Sequence, residues 1–171
     1  EVLDFYRKKI EQSTILKTLA LMEQEYFIVS IHREENVDNP ESLRRLVDSL
    51  NLLASEYDKS IIVSTHPRTR KRLDELELVL DHRIQFLKPF GFFDYNLLQL
   101  RAFCAISDSG TISEEASILQ FPAITVRNSI ERPEALDTGS IVMTGLSSEV
   151  ILAGVKMVVS DFAKQAFPPV P

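Results

Sequence analysis

Apolar and polar positions along the chain follow two alternating patterns. The first is a short, nearly continuous apolar run rich in β-branched residues, which is typical of a strand covered on both faces. We predict six such strands: Tyr26–Ile31, Ser60–Thr65, Ile84–Leu87, Ala102–Ile106, Ala123–Val126 and Ile141–Met143.

Amphipathic segments with helical spacing separate these strands. After Pro40, apolar residues recur on one face of a 3.6-residue repeat, at Leu43, Leu46, Val47, Leu50 and Leu53. Similar patterns cover residues 69–80, 94–101, 112–120 and 148–159. Strand and helix alternate throughout, which predicts an α/β fold with a parallel sheet. No repeat or internal boundary interrupts the pattern, so we predict one domain over residues 1–171.

Composition narrows the classes of function. The 171 residues carry 19 Lys and Arg against 25 Asp and Glu, a formal net charge of −6 at pH 7, which disfavours a nucleic-acid partner. No apolar run approaches the roughly 18 residues of a membrane span. The single cysteine, Cys104, cannot form an internal disulfide, which favours the cytoplasm, and it should be buried and inert. The chain starts at Glu1 and ends in a proline-rich stretch, so we expect a longer parent protein.

Two polar loops follow the first and fourth predicted strands, at 32–36 and 107–111. In a sheet of order 3-2-1-4-5-6 these loops meet where the strand order reverses, which is where ligands bind. Gly110 allows close approach to the backbone, and Thr111 and Glu114 have capping-box spacing, so the free amides of a helix start would cradle a phosphate. The alternative is a plain strand-to-helix turn. The glycines form no dinucleotide-binding or P-loop motif, which disfavours both classes of cofactor.

His32 and Arg33 would face the same anion. A histidine at a crevice can donate to a phosphate or move a proton, and an arginine can hold two oxygens in a fork. The alternative is a solvated charged turn of Arg33, Glu34 and Glu35. A metal site built from His32 and the glutamates matches no known ligand spacing, so we predict none.

Three further segments each allow two interpretations. Pro133 suits the first position of a helix, which would direct Arg132 to the edge of the same crevice. Arg132 can instead pair with a neighbouring glutamate. The basic cluster at 66–72 is either a solvated helix start or a nucleic-acid patch. The aromatic run at 90–95 should include core residues, with one ring at the loop edge able to stack on a base. No nucleophile elbow surrounds Ser109, which excludes a serine hydrolase of that type.

Four motifs, in this order and at these spacings, resemble a known family. They are His32–Asn36, His66–Pro67, Ser107–Gly110 with Glu114–Ala116, and Glu131–Ala135. Together they resemble the carboxyl-terminal half of the non-hydrolysing UDP-N-acetylglucosamine 2-epimerases. The resemblance covers the chain from the first predicted strand to the last helix.

The resemblance implies a Rossmann-like, doubly wound, six-stranded sheet that forms the C-terminal half of a glycosyltransferase-B-type two-domain fold. The family interconverts UDP-GlcNAc and UDP-ManNAc by eliminating UDP to leave a 2-acetamidoglucal and adding it back, with no cofactor. The implied partners are a UDP-sugar, the N-terminal domain of the same polypeptide and, at full length, a second copy in a homodimer. That domain and the final crossing helix are absent here, so we expect the chain alone to be inactive.

The resemblance also implies roles for individual residues. His32 and Arg132 would contact the phosphates, and His32 would also act directly in catalysis. Ser109, Gly110 and Thr111 would bind the diphosphate, Glu115 the ribose hydroxyls, Tyr95 the face of uracil and Phe90, through its backbone, the uracil edge. His66 would belong to a regulatory site for a second UDP-GlcNAc.

The chain departs from the family pattern at three of these places. Phe90 stands where many members have Gln, Thr111 replaces a common Gly, and Pro67-Arg68-Thr69 replaces the usual residues after His66, which leaves allosteric activation open. Alternative functions are a C2 epimerase of another UDP-2-acetamido sugar, for example a 6-deoxy sugar, and a non-catalytic nucleotide-sugar binding module.

Overall fold

The computed structural model describes residues 2–126, 134–135 and 141–166. The strands are β1 (Tyr26–Ser30), β2 (Ser60–Ser64), β3 (Ile84–Leu87), β4 (Cys104–Ser107), β5 (Ala123–Val126), β6 (Glu134–Ala135) and β7 (Ile141–Thr144). They form one sheet of order β3-β2-β1-β4-β5-β7-β6, parallel except for β6, which pairs antiparallel with β7. The predicted six-stranded parallel sheet and its order are confirmed.

Helices connect and cover the strands. They are α1 (Val2–Phe5), α2 (Arg7–Glu11), α3 (Ile15–Thr18), α4 (Glu34–Val37), α5 (Pro40–Tyr57), α6 (Pro67–Glu75), α7 (Phe92–Arg101), α8 (Ile112–Leu119) and α9 (Ser148–Ala166). Over the described parts of the chain, no helix combines the length and the apolar character needed to cross a bilayer.

The sheet lies between two apolar layers. Successive side chains of a strand point to opposite faces, and β1 is buried along nearly its whole length. Phe27 and Val29 join the layer formed with α5 and α9, whereas Tyr26 and Ile28 join the layer formed with α7 and α8. Helices on both faces therefore explain why the strands read as continuous apolar runs.

The longest crossover, α5, shows how local sequence sets the elements. The side chain of Asn39 caps its first turn by accepting from the amides of Glu41 and Ser42, at 2.9 and 3.3 Å, and Pro40 supplies a first helical position that needs no donor. The helix ends at Asp58, which adopts the left-handed conformation at φ 50°. Its apolar face is buried as the spacing predicts.

Several local predictions were wrong in detail. The helix predicted at 69–80 begins at Pro67 and ends at Glu75, because Glu77 takes a left-handed φ of 51°. Two short elements were not predicted, α4 and β6. In the aromatic run at 90–95, Phe90 and Tyr95 pack against the core as predicted for part of the run, whereas Phe92 and Phe93 are 47% and 36% exposed. Cys104 is buried as predicted, and burial raises the pKa of its thiol.

Candidate functional site

The carboxyl ends of β1 and β4 lie side by side. Ser30 and Ser107 are register partners, and the amide of Asp108 donates to the carbonyl of Ser30 at 3.3 Å. The loops that leave these strands therefore meet, as predicted. The next strand in sequence after β3 is β4, on the opposite side of β1, so this edge is where the strand order reverses.

Asp108 joins the two loops and was not among the predicted site residues. Its buried carboxylate accepts from the amides of His32, at 3.1 Å, and Arg33, at 2.8 Å, and from Nδ2 of Asn36, at 2.9 Å. These bonds hold the start of α4 against the end of β4. Asp108 directly follows the buried strand β4, and this position is the feature of the sequence that could have identified it.

The His32 side chain is exposed beside this carboxylate. Its Nδ1 lies 3.3 Å from Oδ1 of Asp108, and 59% of the side chain is accessible. With Nδ1 facing Asp108, Nε2 is the ring nitrogen directed away from the carboxylate. The arrangement fixes the ring and leaves a nitrogen that can bind an anion or move a proton.

The turn into α8 differs from its prediction. The amide of Ser109 donates to the Ser107 hydroxyl at 3.0 Å, and that of Thr111 donates to the Ser109 hydroxyl at 3.3 Å, so these two amides are engaged. The capping box is also wrong. Thr111 has φ −99° and ψ −1°, outside the extended region that an N-cap side chain requires, and Glu114 is exposed.

Two hydroxyl groups also lie at this turn. The Oγ atoms of Ser109 and Thr111 are 3.0 Å apart and exposed. Thr111 Oγ1 also lies 2.9 Å from Oε1 of Glu115, to which it donates. The start of α8 thus presents two hydroxyls and the positive end of the helix dipole to the crevice.

Glu115 is half-buried one helical turn along α8. Its Oε1 accepts from Thr111, and its Oε2 accepts from Nε2 of Gln99 at 2.9 Å. Gln99 lies on α7 and is fully buried. Sequence analysis identified Glu115 but missed Gln99, because the helical pattern of α7 gives no sign that one of its polar residues faces α8.

Arg33 lies across the turn from Gly110. A Cβ atom at Gly110 would stand 3.8 Å from Nη2 of Arg33, and Nη1 of Arg33 is 3.8 Å from a Glu35 oxygen. That contact to Glu35 is long for an ion pair and largely exposed, so it restrains the guanidinium weakly. The structure therefore brings five predicted residues together at the carboxyl ends of β1 and β4: His32, Arg33, Ser109, Gly110 and Thr111.

Tyr95 reaches the same strand ends from α7. Burial raises the pKa of its hydroxyl to about 12, and the carboxylates of Glu115 and Asp108 act in the same direction, while hydrogen bonding to Ser30 and Ser107 opposes them. The hydroxyl is therefore neutral at physiological pH. Phe90 is also half-buried, against the layer of α7 and α8.

His66 caps α6 at the neighbouring strand end. Its Nδ1 accepts from the amide of Arg68 at 3.1 Å. His32 and His66 line one open pocket of about 290 Å³ with Val37, Arg68 and Thr69. The structure therefore brings the predicted regulatory histidine next to the predicted catalytic one.

The basic cluster at 66–72 is compensated by acidic side chains. Asp38 pairs with Arg68 at 3.6 Å and with Arg72, while Arg70 pairs with Asp74 at 3.3 Å. Cations that already have acidic partners are poorly placed to neutralise phosphates along a nucleic acid, which argues against that alternative.

The predicted phosphate contact Arg132 lies outside the described residues. Among the residues that are described, no group of three or more His, Cys, Asp or Glu side chains is arranged to hold a metal ion.

Comparisons with known proteins identify the family of this chain. The family profile described as UDP-N-acetylglucosamine 2-epimerase matches residues 1–169. A UDP-N-acetylglucosamine 2-epimerase from Methanococcus maripaludis is 41% identical over 133 residues, which cover 75% of this chain and 36% of that protein.

Solved structures show the same likeness. The UDP-N-acetylglucosamine 2-epimerase of Rickettsia bellii is 44% identical, with a TM-score of 0.77 over 93% of this chain and 42% of that one. The Methanocaldococcus jannaschii UDP-GlcNAc 2-epimerase in complex with UDP-GlcNAc and UDP is 35% identical, with a TM-score of 0.74 over 88% of this chain and 43% of that one. The chain thus spans less than half the length of these proteins.

Proposed function

Because this chain belongs to the UDP-N-acetylglucosamine 2-epimerase family, we propose that it is the UDP-binding part of an enzyme that interconverts UDP-GlcNAc and UDP-ManNAc. The observation that carries the proposal is that the loops after β1 and β4 meet, so that His32 and Arg33 lie near the start of α8 with Ser109, Thr111 and Glu115. A relative solved with UDP-GlcNAc and UDP supports this choice of ligand.

The diphosphate binds at the start of α8. The Ser109 hydroxyl donates to a phosphate oxygen, and Gly110 and Thr111 let the phosphate approach the backbone of the turn, while the Thr111 hydroxyl donates to Glu115. Arg33 stands beside Gly110 and adds a charged donor. Arg132 supplies a further phosphate contact, as the family motif implies. Local donors and the helix dipole outweigh the net negative charge of the whole chain.

The nucleoside lies along α7 and α8. Glu115 accepts from the ribose hydroxyls, since each of its oxygens has lone pairs left after the bonds to Thr111 and Gln99. Tyr95 offers its ring to the uracil face, and Phe90 its backbone to the uracil edge. His66 belongs to a regulatory site. The pocket that His66 and His32 both line joins that site to the catalytic histidine.

His32 acts on the leaving group. In the proposed reaction a base removes the proton at C2, the bond from C1 to the diphosphate oxygen breaks, and UDP leaves a 2-acetamidoglucal. UDP then adds back at C1 while C2 receives a proton on the opposite face. His32, oriented by Asp108, stabilises the charge on the departing phosphate through Nε2. The reaction is redox-neutral and uses no cofactor.

The groups that exchange the C2 proton belong to the amino-terminal half of the parent protein. The chain spans 36% to 43% of the three relatives described above, so in this proposal it supplies one side of a two-domain cleft and is inactive alone. The full-length enzyme is proposed to be a homodimer. The proposed location is the cytoplasm, because the single cysteine cannot form an internal disulfide.

Titration of the chain with UDP, followed by NMR shifts or calorimetry, tests the proposal. We expect high micromolar to millimolar affinity, because half of the cleft is missing. Glu115→Ala should weaken binding at least about tenfold, equivalent to about 1.4 kcal/mol. Glu114→Ala is the matched control, since that side chain is exposed on the same turn and should leave affinity unchanged. No response of the wild-type chain to about 10 mM UDP would contradict the proposal.

A further inference from the structure

We propose that Gln99 is a positioning residue, whose buried amide holds the Glu115 carboxylate in the orientation that recognises the ribose hydroxyls of the nucleotide. The inference rests on the proposed function, because it takes Glu115 to face the ribose. It adds a residue from a second helix to the determinants of nucleotide specificity.

The Glu115 carboxylate is held at both ends. Gln99 Nε2 donates to Oε2 at 2.9 Å, and Thr111 Oγ1 donates to Oε1 at 2.9 Å. The first donor comes from α7 and the second from the turn into α8. Rotation of the carboxylate about its terminal torsion, which is otherwise soft, breaks one or both bonds. Two fixed donors therefore determine where the remaining lone pairs point.

Gln99 is itself held by α7. Its Nε2 lies 3.4 Å from Oδ1 of Asn96, and Nδ2 of Asn96 donates to the carbonyl of Phe92 at 2.9 Å. Gln99 and Asn96 are both buried. The chain of bonds runs from the first turn of α7 to Glu115, so the orientation of the carboxylate is tied to a rigid element rather than to a solvated side chain.

Folding stability alone does not account for an amide at this position. Gln99 is fully buried, and within the described parts of the chain its Oε1 has no hydrogen-bond partner. A buried acceptor without a donor destabilises the folded state. A methionine of similar length would fill the same space and remove that unpaired acceptor, at the cost of the 3.4 Å bond from Nε2 to Asn96 Oδ1. The bond from Nε2 to Glu115 is the contact that an apolar residue cannot make.

The test compares two ligands, UDP and 2′,3′-dideoxy-UDP, in titrations of wild type and Gln99→Met. We expect wild type to prefer UDP. Gln99→Met should lower the affinity for UDP about three- to tenfold and change the affinity for the dideoxy ligand little. The ratio of the two affinities should therefore approach one. Its free energy of unfolding should stay close to that of wild type, because removal of the unpaired Oε1 offsets the loss of the bonds from Nε2. Gln85→Met, an exposed glutamine on β3, is the matched control and should keep the preference.

A double substitution tests whether Gln99 acts through Glu115. In the Glu115→Ala background, Gln99→Met should cause no further loss of UDP affinity, because the group that it positions is gone. An additive loss would overturn the inference.

The remaining outcomes are distinct. An unchanged preference in Gln99→Met, or equal losses for both ligands together with lower stability, would overturn the positioning role and leave UDP binding standing. Wild type that binds both ligands equally would also overturn it, since there would be no ribose recognition to position. Wild type that binds no UDP would overturn the proposed function, and this inference with it.

Discussion

In the candidate site, buried polar side chains position exposed or half-buried ones through hydrogen bonds. Asp108 receives the amides of His32 and Arg33, and Gln99 donates to Glu115. A buried polar group is stable only when it is hydrogen-bonded. The same bonds therefore serve two purposes: they satisfy the buried group and they set the position of a group that faces the crevice.

Replacing Asp108 with Asn should destabilise the protein by roughly 2–4 kcal/mol. Both carboxylate oxygens accept N–H bonds, and an amide would turn a donor toward one of these donors. Denaturant unfolding measures the change. Asp38→Asn is the control, because its partners Arg68 and Arg72 are partly exposed and such pairs are worth about 1 kcal/mol or less. Equal effects of the two substitutions would contradict the special role of Asp108.

The sequence predicts the residues that face the crevice, but it does not predict the buried residues that hydrogen-bond to them. His32 and Ser109 lie two residues after strand ends, so their location needs only the fold class, whereas Glu115 lies on α8 and was identified through the family motif. Asp108 contacts a residue 76 positions away, and Gln99 one that is 16 positions away. No local periodicity encodes such pairs, since they form only when the strands are ordered.

At the scale of elements, α9 packs closely on the sheet through a glycine. A Cβ atom at Gly154 would lie 2.7 Å from Cγ2 of Thr144 on β7 and 3.3 Å from Cδ1 of Ile124 on β5. The first distance is shorter than real Cβ contacts allow, and the threonine is buried on a strand. The missing side chain thus sets the separation of helix and sheet.

Gly154→Ala should destabilise the protein by about 1–2 kcal/mol, although alanine favours a helix by about 1 kcal/mol over glycine. The clash with Thr144 outweighs the helix propensity because neither backbone can move freely. In the Thr144→Ser background, which removes the clashing methyl group, the same substitution should be nearly neutral. Thermal or denaturant unfolding of the four proteins measures this. A stabilising effect of Gly154→Ala alone would contradict close packing at this position.

Prediction of the elements was most accurate where the pattern was strongest. The bounds of β3 and β5 are as predicted, and the other four predicted strands differ from the structure by one or two residues at an end. The four-residue α4 and two-residue β6 were missed. Elements this short carry too few residues for a period, and their neighbours stabilise them: Asp108 holds the start of α4, and β7 pairs with β6.

At the scale of the whole molecule, strand order decides where chemistry is possible. β1 and β4 are adjacent although 73 residues separate the end of one from the start of the other. We propose that their loops form one side of a cleft, since the chain spans less than half the length of its relatives. Binding and turnover should therefore be separable properties.

In D2O, this chain alone should not exchange the C2 hydrogen of UDP-GlcNAc. The same chain joined to the amino-terminal half should introduce deuterium at C2 and form UDP-ManNAc, because that half supplies the proton-transfer groups. NMR of the nucleotide sugar measures both. Exchange by residues 1–171 alone would contradict a divided active site. In the longer protein, exchange only with another UDP-2-acetamido sugar would identify that substrate, and binding without exchange would indicate a non-catalytic module.

The sequence by itself determined the fold class, the strands and the loops that carry the site, because these depend on local periodicity and on the positions of polar residues at strand ends. Only the tertiary structure decided which groups support them: Asp108 beneath His32, Gln99 behind Glu115 and Asp38 against the basic cluster. These contacts join residues distant in sequence, and burial makes their hydrogen bonds obligatory only once the helices and strands have packed.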